Sequence, residues 1–289
     1  MNLSIFYRGP LSSCNYGCGY CPFAKRIDSK RQLSRDRQSL QRFTSWLAAQ
    51  PQHQWNVMFT PWGEALVRAW YREAIAVLSG LPQVATVAVQ TNLSCRIDWI
   101  AKCRLDRLAL WATFHPTETD ARPFLRKVRQ LRDWGVRLSV GMVGVPELLE
   151  NIIVMRQELP ADVYLWINAQ QPRSRPYTVE EVARFSSVDP HFTLTARRRP
   201  SLGKPCRTGE TAFTVDGSGN MRRCHFVAAI IGNIYESGWE QSLLPRPCPN
   251  RFCDCFLGKA QLRDGALEAV FAAQVIERIP LAASDAAGH

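Results

Sequence analysis

The stretch "SSCNYGCGYCPFAK" (residues 12–25) follows the apolar run "NLSIFYR" (2–8) and places three cysteines, Cys14, Cys18 and Cys21, within eight positions. Three is an awkward number of thiols: a disulfide takes two, a structural zinc site four, a reactive nucleophile one. Its meaning depends on the fold that presents it. Outward from this stretch, "WNVMFT" (55–60), "VATVAVQT" (84–91), "LALWATF" (108–114), "VRLSVGMVG" (136–144) and "DVYLWINA" (162–169) repeat the character of 2–8, short runs rich in β-branched and aromatic residues. Between them "SLQRFTSWLAAQ" (39–50), "EALVRAWYREAIAVLSG" (64–80), "RPFLRKVRQLRDWG" (122–135) and "PELLENIIVMRQEL" (146–159) carry helical spacing, two of them closed by glycine. Alternating strands and helices predict a parallel sheet. A closed eight-unit barrel takes about 250 residues, whereas the six units here end near residue 169. The predicted fold class is therefore α/β, a partial (β/α)6 TIM-like barrel over 1–169, with the three-thiol loop on the C-terminal face where such barrels do chemistry.

Composition narrows the reading. With 289 residues, 46% hydrophobic and 10% aromatic, the chain can fill a large core, and no stretch reaches the roughly 18 uninterrupted apolar residues of a membrane helix. "MNLSIFYRGP" lacks the charged start and apolar run of a secretory signal, so the expected location is cytoplasmic. In that reducing compartment ten cysteines, about 3.5% of the chain, read as metal ligands before disulfides. Cys95 and Cys103 stand apart from the rest and read as buried free thiols. The net charge of +11 comes from arginines scattered from Arg26 to Arg278, which reads as solvated helix faces rather than a nucleic-acid footprint.

Beyond residue 169 the texture changes. The segment 170–202 is proline- and arginine-rich and reads as a linker, 203–258 holds half of the cysteines, and 259–289 reads as an amphipathic helix ("DGALEAVFAAQVIERI", 264–279) with a frayed tail.

The spacing Cys14-x3-Cys18-x2-Cys21, with Tyr20 before the last cysteine, resembles the signature of the radical S-adenosylmethionine (SAM) superfamily. The resemblance implies a [4Fe–4S] cluster on these three thiolates whose fourth iron chelates SAM, and reductive cleavage of SAM to a 5′-deoxyadenosyl radical that abstracts hydrogen from a substrate. "FTPWGEAL" resembles the family's Gly-Gly-Glu stretch, which assigns the SAM amino group to Gly63 and Glu64, although Trp62 replaces the first glycine. Thr91 and Asn92 of "QTNLS" and His115 of "TFHP" fall on the same rim, and Val143 of "VGMVGVPE" corresponds to the residue that packs on adenine. Each also has a plain structural reading: a solvated first-turn glutamate for Glu64, turn residues for Thr91, Asn92 and His115, a strand-end valine for Val143.

The second cysteine group is Cys206, Cys224, Cys248, Cys253 and Cys255. "VDGSGNMRRC" reads as a hairpin that brings the thiols together, and with "CPNRFCDC" it resembles the SPASM and twitch extensions of radical SAM enzymes. The resemblance implies one auxiliary [4Fe–4S] cluster. Cys206 and Cys224 are its expected pair, with two more ligands from Cys248, Cys253 and Cys255; a four-cysteine zinc ribbon is the alternative. In an extended segment Cys253 and Cys255 point to one face about 6.6–6.8 Å apart.

What the family implies is reaction type, not substrate: a peptide or a small molecule, with an electron donor such as flavodoxin or ferredoxin and no membrane partner. An RNA-modifying radical SAM enzyme and a zinc-stapled binding protein without catalysis stay open at this point.

Overall fold

The computed structural model describes residues 1–23, 26–171, 175–271 and 276–281. Its centre is a nine-stranded sheet of order β10-β9-β8-β1-β2-β3-β4-β5-β6. Six strands follow the expected runs: β1 (Asn2–Arg8), β2 (Gln54–Phe59), β3 (Val84–Thr91), β4 (Leu108–Thr113), β5 (Arg137–Gly144) and β6 (Leu165–Ala169). All five neighbouring pairs among them are parallel. The crossovers hold α1 (Lys30–Ala48), α2 (Ala69–Gly80), α3 (Ala121–Asp133) and α4 (Leu149–Glu158), while two short 3-10 turns connect β3 to β4. This is the partial (β/α)6 barrel predicted from the strand runs.

Alternation along the strands separates two cores, because successive side chains of a strand leave opposite faces. Leu3, Ile5 and Tyr7 of β1 and Val57 and Phe59 of β2 join the large core under the helices. Phe6, Met58, Ala88, Trp111 and Trp166 face the other way, into the barrel. That interior is filled by the chain's own C-terminal part. Phe256 of α7 (Phe256–Lys259) packs on Trp111, and Phe271 of α8 (Glu268–Phe271) packs on Phe256, each burial contributing about 1.5–3 kcal/mol.

Several expected boundaries move. The helix read over 64–80 starts only at Ala69, since Glu64 turns inward and caps Leu66 N instead of beginning a helix. The helix read over 39–50 starts at Lys30, where Ser29 and Gln32 form a capping box. The segment 170–202, read as a linker, carries α5 (Val179–Val188), opened by a Thr178–Glu181 capping box, and α6 (Phe192–Ala196). Buried Lys259 closes α6 by donating to the carbonyls of Leu194, Thr195 and Arg197. The helix read over 264–279 is helical at Glu268–Phe271; 272–275 lie outside the described residues, and the chain from 276 to 280 is not helical, with Arg278 turned into the core over Trp166 and Phe256. The tail at 282–289 also lies outside the described residues.

The cysteine-rich segment is stitched to the barrel. Its hairpin, β8 (Ala212–Asp216) and β9 (Asn220–Arg222), joins the sheet because β8 pairs in parallel with β1. Asp216 accepts from Ser218 N and Asn220 N across the turn, and Gly219 at φ 86° takes the left-handed conformation that a side chain would resist. β10 (Ile230–Asn233) extends this edge, and β11 (Phe252–Cys253) pairs apart from the sheet with β7 (Arg199–Pro200). Among the described residues no helix is long and apolar enough to cross a membrane.

Candidate functional site: two cysteine groups at the barrel rim

The loop after β1 is fixed before any metal enters it. Buried Asp28, just ahead of α1, accepts four hydrogen bonds from Ser12 and Ser13, two from their amides at 2.8 Å and two from their hydroxyls. Burial pushes this carboxyl up, but the hydrogen bonds outweigh it and hold it below the usual carboxylate range. Ser13 O then accepts Glu64 N at 3.2 Å, and a Cβ on Gly63 would meet that oxygen at 2.0 Å. Gly63 is thus demanded by the close approach of the loops after β1 and β2.

Around the three thiols the rim is tightly connected. Cys14 Sγ accepts Tyr16 N at 3.4 Å and faces Asn92 Nδ2 at 3.7 Å. His115 Nδ1 lies 3.3 Å from Cys18 Sγ and 3.1 Å from Tyr20 Oη, with the Tyr20 and His115 rings stacked. Cys21 N closes a turn onto Cys18 O at 3.1 Å. Burial pushes the Cys18 thiol up to about 11 and raises Cys14 as well, and it lowers His115 to about 4. Without metal these two thiols are protonated at neutral pH, so metal binding has to release their protons.

Glu64 is the brace of the rim. Its carboxylate accepts Thr91 Oγ1 at 2.7 Å, Leu66 N at 2.9 Å and Asn92 N at 2.6 Å. It is 5% exposed, and burial raises its pKa against these three hydrogen bonds. The reading of Glu64 as a solvated first-turn glutamate is therefore corrected. Three of about four acceptor sites are used, which leaves one on Oε2 for a ligand. Beyond Asn92, Leu93 is held at φ 54°, and Lys127 Nζ fixes this turn by donating to the carbonyls of Leu93, Ser94 and Cys95. Glu64→Ala would leave Asn92 N and Leu66 N buried without an acceptor, at about 1–3 kcal/mol for each group. The expected result is a lower unfolding midpoint; a variant as stable as the parent in urea would contradict the brace.

The second group gathers at the far end of the chain. Cys206, Cys224, Cys248 and Cys253 line one cavity with Phe226, and Cys255 stands beside it, within electrostatic reach of Cys224 and Cys253. Arg223 ties the cavity walls, reaching Thr208 O with Nε and the carbonyls of Arg246 and Pro247 with its two Nη groups. Gly203 N donates to Cys248 O and Cys248 N to Lys204 O, both at 2.9 Å. Burial pushes Cys224 up to about 11 and Cys253 up to about 12. Cys255 instead packs with the aromatic core inside the barrel.

With both groups placed, comparison with solved structures is informative. Native anSMEcpe with bound AdoMet superposes with TM-score 0.55 over 84% of this chain and 83% of its own at 13% identity, and SuiB of Streptococcus suis with 0.56 over 83% and 65% at 11%. Native anSMEcpe with bound AdoMet and the Cp18Cys peptide gives 0.52 over 84% and 82% at 13%. The fold is shared with these proteins. No protein-family model matches the chain, and no curated protein does.

The donor set fits iron–sulfur ligation. None of the ten cysteines is in a disulfide, and among the described residues no three Cys, His, Asp or Glu side chains converge on a single metal ion. A four-iron cube takes each thiolate at its own iron, so its three or four thiol ligands stand around a cavity rather than meet at one point. Of the rim residues predicted from sequence, Cys14, Gly63, Glu64, Thr91 and Asn92 form one connected group and Cys18, Tyr20, Cys21 and His115 another, and Tyr16 joins the two through its amide on Cys14 and its ring against His115. Val143 stands apart on β5, in register with Asn168 of β6. Cys95 and Cys103 are half-buried against the large core. Asp28 and Lys127 were not singled out in the sequence, for their partners lie 15 or more residues away.

Proposed function

We propose that this protein is a radical SAM enzyme carrying one auxiliary [4Fe–4S] cluster. The reading is carried by a single observation: three thiols of spacing x3 and x2 stand on the C-terminal rim of a parallel partial barrel whose fold is shared with AdoMet-bound anSMEcpe. Cys14, Cys18 and Cys21 hold the first cluster. When bound, it supplies the electron that cleaves SAM to methionine and a 5′-deoxyadenosyl radical. Gly63 and the free acceptor site on Glu64 orient the amino group, Thr91 and Asn92 keep Glu64 in place, and Val143 covers the adenine. Tyr20 and His115 shield Cys18 from water. Cys206, Cys224, Cys248 and Cys253 hold the auxiliary cluster, in a domain bounded by 203–258 after a barrel of 1–169, and full ligation by cysteine suits electron transfer from the substrate. The substrate is a peptide or a small molecule, anSMEcpe having been solved with a peptide. A cytoplasmic flavodoxin or ferredoxin supplies electrons.

The test is anaerobic reconstitution followed by incubation with SAM and a strong reductant. The expected result is brown protein with about eight irons per chain that slowly produces methionine and 5′-deoxyadenosine even without substrate. Colourless protein that binds zinc and leaves SAM intact would show the reading to be wrong.

A further inference from the structure

Between the two cysteine groups lies a cation with no counter-ion among the described residues. Arg8 ends β1 on the inward face that also carries Phe6. Its Nε donates to Thr60 O at 2.8 Å, and its guanidinium lies 4.2 Å over the Trp62 ring. These contacts fix the plane of the group. Among the described residues neither Nη group has a hydrogen-bond partner and no carboxylate reaches it, yet neither is sealed from solvent.

The surroundings are neutral and in part apolar. His225, next to Cys224, shares a hydrogen bond of 3.1 Å between its Nε2 and Thr60 Oγ1 and sets its ring edge against Phe6. Trp62, which stands where the resemblance expects a glycine, stays 44% exposed and packs on Phe23, also 44% exposed. Burial lowers Arg8 to about 10, which leaves it a cation at neutral pH. A desolvated cation without a partner is costly, and a bound anion removes the cost.

We infer that this part of the rim is the substrate's carboxylate site, with the Nη groups of Arg8 as its donors and Trp62 as its floor. A guanidinium presents a planar fork that matches a carboxylate. Among the described residues no second cation faces the site, so its single charge suits a monoanion better than a phosphate. Glu64, Asn92 and Cys14 form the connected set of the first group, whereas Arg8 shares Thr60 with His225, the neighbour of Cys224 in the second. A carboxylate on Arg8 therefore places a substrate between the two groups. Calling this ligand a substrate rests on the radical SAM reading; the anion site does not.

The experiment uses the full chain, reconstituted anaerobically and saturated with SAM, in calorimetric titrations with three capped dipeptides. N-acetyl-Gly-Ala offers a chain-terminal carboxylate, N-acetyl-Gly-Glu-amide a side-chain carboxylate, and N-acetyl-Gly-Ala-amide neither. At least one carboxylate probe should bind about tenfold or more tightly than the neutral one, and the one that does so tells a chain end from an acidic side chain. The same probe should slow modification of Arg8 by phenylglyoxal, read by peptide mass spectrometry on the unaltered protein. Arg8→Gln should lose the preference, and the labelling result decides if that variant does not fold. Equal binding of all three probes, no binding of any, or unchanged labelling overturns the inference. So does protection of Arg8 by SAM alone with exclusion of the probes, for then the anion is the carboxylate of SAM itself. A protein that binds the carboxylate and never cleaves SAM keeps this site and loses the radical reading; cleavage without carboxylate binding does the reverse.

Discussion

Replacing Cys14, Cys18 and Cys21 together by alanine is expected to lower the iron content from about eight to about four atoms per chain and to abolish SAM cleavage, while the fold survives. Survival follows from what holds the loop. Its entry is fixed by Asp28 through Ser12 and Ser13, its contact with the β2 loop by Ser13 O and Gly63, and no thiol takes part in either. Cys18 is buried and Cys14 and Cys21 half-buried, and burial favours the protonated form of Cys14 and Cys18, so alanine at these two removes no ionised group from the metal-free chain. Iron counted by a chromogenic chelator, far-UV circular dichroism and product analysis read the three effects separately. An unchanged iron count would place the first cluster elsewhere, and cleavage by the triple variant would remove the loop from the chemistry.

Much of the barrel was legible because its strands are two-faced in sequence: in "NLSIFYR" Leu3, Ile5 and Tyr7 alternate with Ser4 and Phe6, and the two sets enter different cores. The capping boxes at Ser29 and Thr178 were also there to be read, and they mark helices that composition alone hid in an arginine-rich start and a proline-rich linker. What could not be read is what distant residues do for one another. Lys127 looks like a solvated helix lysine until the turn after β3 is seen to end on its ammonium. The same holds for the charge of +11. Arg72, Arg156, Arg223 and Arg246 donate to backbone carbonyls, so part of the basic composition closes loops rather than meeting an acidic partner. Trp62 reads as a departure from a motif until it is found beneath Arg8.

Alanine at Cys206, Cys224, Cys248 or Cys253 is expected to remove the auxiliary cluster's paramagnetic signal and about four irons, whereas Cys255→Ala keeps both. Sequence spacing left the choice among Cys248, Cys253 and Cys255 open, and an extended chain would have paired the last two on one face. The backbone is extended at Cys253 and at Cys255, and what separates the two is what each packs against. Cys253 ends β11, and Cys255 is the residue that opens α7, so Cys255 follows Phe256 toward the barrel interior. Cys253 Sγ lies against Gly258, where an added Cβ would approach it to 2.8 Å, and it lines the cavity with the other three thiols. Cys248, the doubtful member by spacing, is secured in the cavity wall by paired backbone bonds to Gly203 and Lys204. Each single variant should be reconstituted alongside the triple loop variant, whose remaining iron reports the auxiliary site alone. Loss of the signal in Cys255→Ala with its retention in Cys248→Ala would show that α7 opens to admit the cluster. Retention in two or more of the four would mean a cluster with an exchangeable iron, and substrate ligation there would replace electron transfer.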